Sequence, residues 1–256
     1  MIDYMIGIPS YRRADNQRTL TYLENLGFPK GRIIVSLQCP KDYDNYRKAG
    51  VEERVGSLVF KKGNNVSDNM NTLLNSVDIG TKLIMLDDDV NFIQKLENEK
   101  LINIESLEEL NSLVEMGYSL VGQKDTALWG LYPVANSFFM KEGVKERALI
   151  IGSFFAVITS ELRFNNLYST KQDFEYCCQV IRKYGKLVRL ENYTVKAQHY
   201  SKGGCADNWK DKETVINTAK KLCEEYSDIV RLNPNKEGEV QIAPIKNDKE
   251  EQIKLF

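Results

Sequence analysis

The chain has 256 residues, of which 42% are hydrophobic and 28% charged, and its formal net charge is −1. These proportions are typical of a soluble globular protein, and no apolar run approaches the ~20 residues that cross a bilayer. With 35 Lys and Arg against 36 Asp and Glu, the chain lacks the positive surplus that strong non-specific nucleic-acid binding requires.

The first residues and the cysteines bear on where the protein works. The N-terminal six residues lack a basic segment and resemble a first strand rather than a signal peptide, so we expect a cytoplasmic protein. The five cysteines are odd in number and show no Cys-x-x-Cys spacing. We therefore expect reduced, mostly buried thiols and neither a disulfide framework nor a structural zinc site.

The first hundred residues alternate short apolar runs with amphipathic stretches. The pattern predicts strands at 4–8, 33–37, 57–60 and 82–86, and helices at 16–26, 41–49 and 66–77. Such a βαβ succession implies an α/β fold with a mainly parallel, twisted sheet flanked by helices.

The second half of the chain has a different sequence pattern, with aromatic loops between short predicted elements. Helices are predicted at 104–116, 171–184 and 209–226, and strands at 118–121, 137–141, 148–158, 187–190 and 194–198. We expect a smaller sheet here. Because no repeat or linker separates the halves, we predict a single domain over 1–233 and a polar tail over 234–256.

Three consecutive acids, Asp87–Asp89, directly follow the predicted buried strand at 82–86. Ligands of open α/β sheets bind beyond the carboxyl ends of strands. Adjacent carboxylates repel one another there unless a cation compensates them, and hard divalent cations prefer oxygen ligands. The pattern indicates a divalent metal that carries a diphosphate; the alternatives are a solvated acidic turn and an Asp that caps the next helix.

The single histidine, His199, is followed by a loop with Lys202, Gly203 and Gly204. Backbone N–H groups of such a loop, with a lysine beside them, suit a diphosphate. A neutral imidazole suits manganese or magnesium. The alternative for a single histidine is a purely structural role.

Further pocket residues are predicted in four segments. After the first strand, residues 9–13 offer an aromatic ring for a base and two arginines for phosphate or ribose. The aromatic block at 129–133 resembles a loop that lines a pocket, and Gly152-Ser153 indicates a close backbone approach. Asp173, in the first turn of a predicted helix, is either an acid favoured by the helix dipole or a general base.

Taken in order, these residues resemble the nucleotide-sugar glycosyltransferases of the GT-A fold. The resemblance spans about residues 1–209 and implies a nucleotide-binding half over about 1–100 and an acceptor-side half over about 101–233. It rests on Ile8-Pro9-Ser10-Tyr11 after the first strand, Asn71 in a helix, Asp87–Asp89 after a strand, Gln172-Asp173 at a helix start, and the late His199.

The resemblance also implies roles for the matching residues. Asp89, His199 and Asp87 would bind Mn²⁺ or Mg²⁺, with Asp87 or Asp88 in contact with ribose or sugar. Asp173 would be the acceptor-side base, although Gln172 stands where the family has Glu. The remaining donor-binding residues would be Pro9, Ser10, Tyr11, Arg12, Arg13, Asn71, Lys202, Gly203 and Gly204, and the acceptor-side residues Trp129, Gly130, Gly152, Ser153, Gln172 and Glu175.

Within that fold the chain is most similar to the TET-associated glycosyltransferases of bacteriophages. The opening Ile-Pro-Ser-Tyr-Arg-Arg, the 129–133 block, residues 151–155 and the His-Tyr-Ser-Lys-Gly-Gly element carry this similarity. It implies transfer from a UDP-sugar to a 5-hydroxymethylated pyrimidine in phage DNA. The base must then be extrahelical or single-stranded, and the basic residues between Arg182 and Arg189 must contact the DNA backbone.

Other functions are compatible with the same residues. A GT-A enzyme would also serve a glycan, a lipid-linked sugar or a protein hydroxyl as acceptor, and nucleotidyltransferases likewise use strand-end acids and metal. A non-catalytic DNA-associated or calcium-binding module would use the acids only as a cation site. If Asp173 deprotonates the acceptor, the transfer inverts the anomeric carbon; a retaining outcome on this fold stays open.

Overall fold

The computed structural model describes residues 2–60, 65–197 and 211–244. Within these ranges the chain forms a ten-stranded sheet flanked by helices and a separate two-stranded sheet. No helix in these ranges is long and apolar enough to span a membrane.

The first half alternates strands and helices, as the sequence predicts. β3, β2, β1 and β4 pair in parallel in that order, so the carboxyl ends of β1 and β4 lie side by side. The elements are β1 Tyr4–Ser10, α1 Arg18–Asn25, β2 Ile33–Leu37, α2 Tyr43–Lys48, α3 Val51–Arg54, β3 Ser57–Phe60, α4 Val66–Asn75 and β4 Lys82–Leu86.

The second half extends the same sheet in the order β4-β9-β7-β10-β5-β6, with β8 on β10. The predicted α/β fold is confirmed, with the parallel block at one end of the large sheet and a small second sheet that β11 and β12 form. The elements are β5 Val90–Glu97, β6 Lys100–Asn103, α5 Leu107–Gln123, β7 Leu128–Tyr132, β8 Val144–Lys145, β9 Phe154–Ile158, α6 Gln172–Tyr184, β10 Val188–Ala197, α7 Lys212–Glu225, β11 Val230–Leu232 and β12 Val240–Ile242.

Strand β9 brings the two halves together at one edge. It runs antiparallel to β4, with Leu86 opposite Phe154. The end of β4 therefore lies beside the start of β9, and the residues before β9 meet the acids that follow β4. Gly152 and Ser153 are thus carried to the carboxyl edge of the parallel block.

Two hydrophobic cores cover the two faces of the sheet. Successive side chains of a strand point to opposite faces. Accordingly, Ile84 and Leu86 pack in a core with residues of α1 and α5, whereas Leu83 and Met85 pack in a second core with residues of α4, α6 and α7. The sheet is buried on both sides, which fixes the position of its strand ends.

Several predicted elements differ from the structure. The prediction of a strand at 118–121 is wrong, because these residues continue α5. Val114, Tyr118 and Val121 are buried there at helical spacing. The strand expected at 137–141 is a turn with Phe138 and Phe139 exposed. The strand expected from residue 148 begins only at Phe154, and those expected at 187–190 and 194–198 are a single strand, β10.

The prediction of a polar tail from residue 234 is wrong for residues 234–244, which the structure describes. Residues 234–244 return to the domain, and β12 pairs antiparallel with β11, with Leu232 opposite Val240. Val240 is buried. The folded region therefore extends beyond residue 233, while residues 245–256 lie outside the described ranges.

Two glycines of α5 provide a test of its packing on the sheet. A Cβ at Gly117 would lie 2.4 Å from Cε2 of Trp129, whereas nothing lies within 4 Å of one at Gly122. We expect Gly117→Ala to lower the free energy of unfolding by about 1–3 kcal/mol through overpacking. Gly122→Ala should raise it by roughly 0.5–1 kcal/mol through helix propensity. Urea denaturation measures both, and equal stability of the two variants would contradict the close contact between α5 and Trp129.

Candidate active site

A cleft of about 580 Å³ opens where the carboxyl ends of β1 and β4 meet the residues that precede β9 and begin α6. It gathers segments that are far apart in the chain. The predicted site residues that line it are Pro9, Ser10, Tyr11, Arg13, Asp87, Asp88, Asp89, Gly152, Ser153, Gln172 and Asp173.

Arg13 bridges two of the three consecutive acids. Its Nη1 donates to Asp88 Oδ1 at 2.5 Å and to Asp89 Oδ2 at 3.0 Å. All three side chains are buried, at 8% exposure or less. Because buried charges are costly unless they are paired and hydrogen-bonded, this guanidinium offsets part of the cost of burying both carboxyl groups at the strand end.

Asp88 is also held by a hydrogen-bond network from the first strand. Ser10 Oγ donates to Asp88 Oδ2 at 2.5 Å, accepts from Gln17 Nε2 at 2.9 Å, and lies 2.7 Å from the Tyr46 hydroxyl. Asp88 thereby has partners on both oxygens. Its side chain is engaged in the fold. Asp88 is therefore poorly placed to make the contact with ribose or sugar that the resemblance implied.

Thr19 fixes the backbone turn that carries the acids. Its hydroxyl donates to the Asp87 carbonyl and accepts from Val90 N at 3.0 Å, and its own N–H donates to the Asp88 carbonyl at 3.3 Å. α1 is therefore tied directly to the end of β4, which holds the acids in one orientation.

Asp87 and Asp89 present the features of a cation site. Burial, together with the charges of Asp89, Asp88 and Asp173, raises the pKa of Asp87 to about 8. Oδ1 of Asp89 is buried and has no hydrogen-bond partner within the described ranges. A carboxyl that needs a positive neighbour and an unsatisfied carboxylate oxygen together fit a divalent metal ion.

The described residues alone do not complete such a site. Within residues 2–60, 65–197 and 211–244, no group of three or more His, Cys, Asp and Glu side chains is arranged to hold a metal ion. The predicted ligand His199 and the predicted diphosphate loop of Lys202, Gly203 and Gly204 lie outside the described ranges.

Asp173 lies at the start of α6, across the cleft from the acids. Its Oδ2 accepts from Gly152 N and its Oδ1 from its neighbour Phe174 N, each at 2.9 Å. Burial raises the pKa of Asp173 to about 6, against the effect of these two hydrogen bonds and of the Lys171 charge. A carboxyl group with this pKa is poised to accept a proton near neutral pH.

Four predicted contacts with substrate are corrected by the structure. Trp129 is fully buried and packs between Tyr118 and Phe154, with ring centroids at 5.6 and 4.9 Å. Gly130 faces Ile150 of the core, because a Cβ there would lie 2.3 Å from Ile150 Cγ2. These two residues belong to the core rather than to the pocket.

Glu175 and Asn71 are likewise engaged in the fold. Glu175 is buried and accepts hydrogen bonds from Tyr226 at 2.7 Å and from Gln179. Asn71 pairs with the backbone N–H and carbonyl of Phe164, both at 2.8 Å. Their polar groups are thus used to hold α7 and the 160–168 loop, which leaves neither directed at a substrate.

Three arginines also depart from their expected roles. Arg12 has a left-handed backbone (φ 55°), and its guanidinium lies 4.8 Å from the centre of the Tyr11 ring rather than in the cleft. Arg182 is bound to the Glu225 carbonyl and to Asp228, and Arg189 to Glu191 and the Leu149 carbonyl. Two arginines of the expected basic patch, Arg182 and Arg189, thus have intramolecular partners.

Other residues line the cleft without having been predicted as site residues. They include Gln38, Val66, Asn69, Val134, Ile151, Phe174, Lys236 and Glu239, whereas Pro133 belongs to the predicted 129–133 block. Lys236 and Glu239 come from the segment interpreted as a tail. The alternation in Val240-Gln241-Ile242 is the signal that would have indicated a strand there.

Comparison with known proteins supports the fold. No family model matches the chain, and no curated protein matches it. Among solved structures, S. aureus TarS 1–349, also solved in complex with UDP, is similar over 87% of this chain, with a TM-score of 0.53 and 12% identity. Mannosyltransferase PcManGT from Pyrobaculum calidifontis, in complex with GDP-Man and Mn²⁺, is similar over 87%, with a TM-score of 0.57 and 10% identity.

The protein thus has the fold of the GT-A glycosyltransferases. The match covers 66% of the chain in the TarS 1–349 structures and 64% of the chain in the mannosyltransferase structure. This chain therefore spans less than two thirds of the length of these similar proteins.

We expect Arg13→Met to lower the free energy of unfolding at pH 7 by about 3–5 kcal/mol, because Asp88 and Asp89 are left buried without their cation. Burial already raises the pKa of Asp88 against the effect of Arg13, and loss of Arg13 raises that pKa further. A raised folded-state pKa favours folding at low pH, so the deficit should shrink as the pH falls towards 4.

Arg12→Met is the matched control for this variant. Since Arg12 contacts Tyr11 rather than the acids, its loss should change stability by less than about 0.5 kcal/mol. Urea denaturation at pH 4.5, 7 and 8 (about these values) measures both variants. An equal, pH-independent effect of the two substitutions would contradict the role of Arg13.

Proposed function

We propose that this protein is a metal-dependent glycosyltransferase that moves a sugar from a UDP-sugar to the hydroxyl of a 5-hydroxymethylated pyrimidine in DNA. The observation that carries the proposal is the placement of Asp87 and Asp89 in one cleft with Asp173. An acidic strand end and a carboxyl with a pKa of about 6 thus face the same space in a GT-A fold.

The donor would lie along the β1–β4 edge. Asp89, through its unsatisfied oxygen, and Asp87 would hold Mn²⁺ or Mg²⁺, and the bound metal would supply positive charge to the departing diphosphate. Pro9, Ser10 and Tyr11 line the adjoining wall, where the half-buried Tyr11 ring would stack on a base.

The acceptor would enter on the α6 side. Asp173 accepts the proton of the attacking hydroxyl, while the N–H of Gly152 keeps its carboxylate directed into the cleft. Attack from the side opposite the leaving group inverts the anomeric carbon. Ser153 and Gln172 line the same wall.

Two observations support a nucleobase as the acceptor. The motifs shared with the phage enzymes point to modified pyrimidines, and Phe138 and Phe139 are exposed at 84% and 59% on the loop that begins at Pro133 and Val134 of the cleft. Exposed aromatic rings stack on unpaired bases of any sequence. The base would reach the cleft from a single strand or after flipping out of a duplex.

A glycan acceptor is the second candidate. It is favoured by the engagement of Arg182 and Arg189 within the fold, which removes two expected phosphate contacts. Aromatic side chains and carboxylates serve a sugar acceptor equally well.

We expect UDP with Mn²⁺ to raise the Tm of the wild-type protein by several degrees, since ligand at about 100 Kd contributes ~2.7 kcal/mol. Asp89→Ala should lose this shift and the hydrolysis or transfer of the donor sugar. Asp44→Ala, which removes an exposed acid of α2, should retain both. Full activity of Asp89→Ala would refute the proposed donor site.

We expect mass spectrometry of nucleosides to show one added sugar on 5-hydroxymethylated pyrimidines after incubation of single-stranded DNA with the enzyme, Mn²⁺ and UDP-sugars. Asp173→Asn should bind UDP and Mn²⁺ normally but give no product. Because Asp173 must be deprotonated and its pKa is about 6, the wild-type rate should rise with pH through about 6 and then level off.

The same assay with oligosaccharides separates the two candidate acceptors. Product on glycans and none on any DNA would replace the nucleobase by a sugar acceptor. A rate without dependence on Asp173 would remove it as the base.

A further inference from the structure

The turn between β11 and β12, residues 233–239, forms one wall of the cleft. Lys236 and Glu239 of this turn line it together with Gln172, Asp173 and Phe174 at the start of α6. The turn therefore lies on the side of the cleft assigned to the acceptor, opposite the β1–β4 edge.

Lys171 connects this turn to the proposed base. It directly precedes Gln172-Asp173, and its side chain is completely buried. Its Nζ lies 3.4 Å from Glu239 Oε2. A buried ammonium is costly unless it is compensated, and the Glu239 carboxylate offsets part of this cost.

The backbone of Lys171 is held in an unusual conformation. Its φ of 58° and ψ of 23° place it in the left-handed region immediately before α6. Such a conformation costs of order 1–3 kcal/mol for a residue other than glycine and persists only where surrounding contacts enforce it. The ion pair with Glu239 is a contact of this kind, and it acts at the point that sets the direction of Asp173.

The turn has its own internal support. Asn233 N donates to the Glu239 carbonyl at 2.8 Å, and Glu239 N donates to the Lys236 carbonyl at 3.1 Å. The second oxygen of Glu239 lies 3.6 Å from Lys236 Nζ, at the exposed rim. Glu239 thus spans from the buried Lys171 to the open cleft on a turn that is already ordered.

We propose that Lys171 and Glu239 are positioning residues for Asp173, and that their ion pair holds the 233–239 turn in place as the acceptor-side wall. The proposal rests on the proposed function for the role of Asp173 as the base. It makes the described part of the expected tail a component of the active site.

The test uses four variants of the full chain. Glu239→Gln keeps the shape and removes the charge. Glu237→Gln makes the same change at an exposed position of the same turn and is the matched control. Lys171→Met removes the ammonium, and Lys171→Met with Glu239→Gln removes both charges of the pair, so that Glu239 no longer faces an uncharged partner.

We expect Glu239→Gln to lower kcat for transfer by about 10- to 100-fold, as a small displacement of a catalytic group does, with an unchanged Kd for UDP and Mn²⁺. Its Tm should fall, and the double variant should recover Tm but not kcat. Glu237→Gln should match the wild type. If kcat recovers together with Tm in the double variant, or if Glu239→Gln transfers normally, the pair is only a structural tie and the proposal fails.

Hydrogen exchange provides a readout that does not depend on the reaction. In Glu239→Gln, amides of residues 170–175 and 233–243 should exchange faster than in the wild type and in Glu237→Gln. Unchanged exchange would overturn the proposed anchoring. Faster exchange in a protein that shows no transfer to any acceptor would retain the anchoring and refute the proposed function instead.

Discussion

The placement of three consecutive carboxylates at the end of β4, of which Asp88 and Asp89 are buried, is the constraint around which the cleft is arranged. Each neighbour offsets part of its cost. Arg13 supplies a charge to Asp88 and Asp89, Ser10 satisfies Asp88, and Thr19 holds the turn itself. The charge of Arg13 offsets the effects of burial and of the neighbouring acids on Asp87 only in part, and Oδ1 of Asp89 has no hydrogen-bond partner within the described ranges. The remaining need for positive charge is therefore concentrated at these two groups, which face the cleft.

The division of the cleft into two sides follows from the strand order. β1 and β4 deliver Pro9–Tyr11 and the acids to one side, and the insertion of β9 beside β4 delivers Gly152 and Ser153 to the other. The backbone N–H of Gly152 then binds Asp173 at the start of α6. The proposed proton acceptor and the proposed cation site thus come together from elements that are far apart in the chain.

The sequence predicted the local part of this arrangement well. A buried strand that ends in three acids, and a helix that begins near Asp173, are visible in short windows, because their hydrophobic period and polar ends are local properties. Trp129 was misassigned because an aromatic residue looks the same in a pocket wall and in a core. Its complete burial and the close approach of Gly117 to its ring distinguish the two.

The contact of Glu239 with Lys171 could not be predicted from local sequence patterns. It depends on the pairing of β11 with β12 and on a buried lysine 68 residues earlier in the chain. Charge composition around residues 234–244 indicated solvent exposure, whereas long-range pairing decided the outcome. The same holds for Arg182 and Arg189, whose carbonyl and carboxylate partners are set by tertiary contacts.

The position of β9 also determines where the protein tolerates a change in length. β9 is paired along both edges, with β4 and β7, and the residues before it reach Asp173 through Gly152. The register of β9 is fixed by both neighbouring strands. One residue added between Ile151 and Phe154 would therefore displace the Gly152 N–H relative to Asp173. The loop at 133–140 and the turn at 233–239 border the cleft without such double pairing. Because Glu239 ties the turn to Lys171, the loop at 133–140 is the border whose length would change with the least effect on the floor of the cleft.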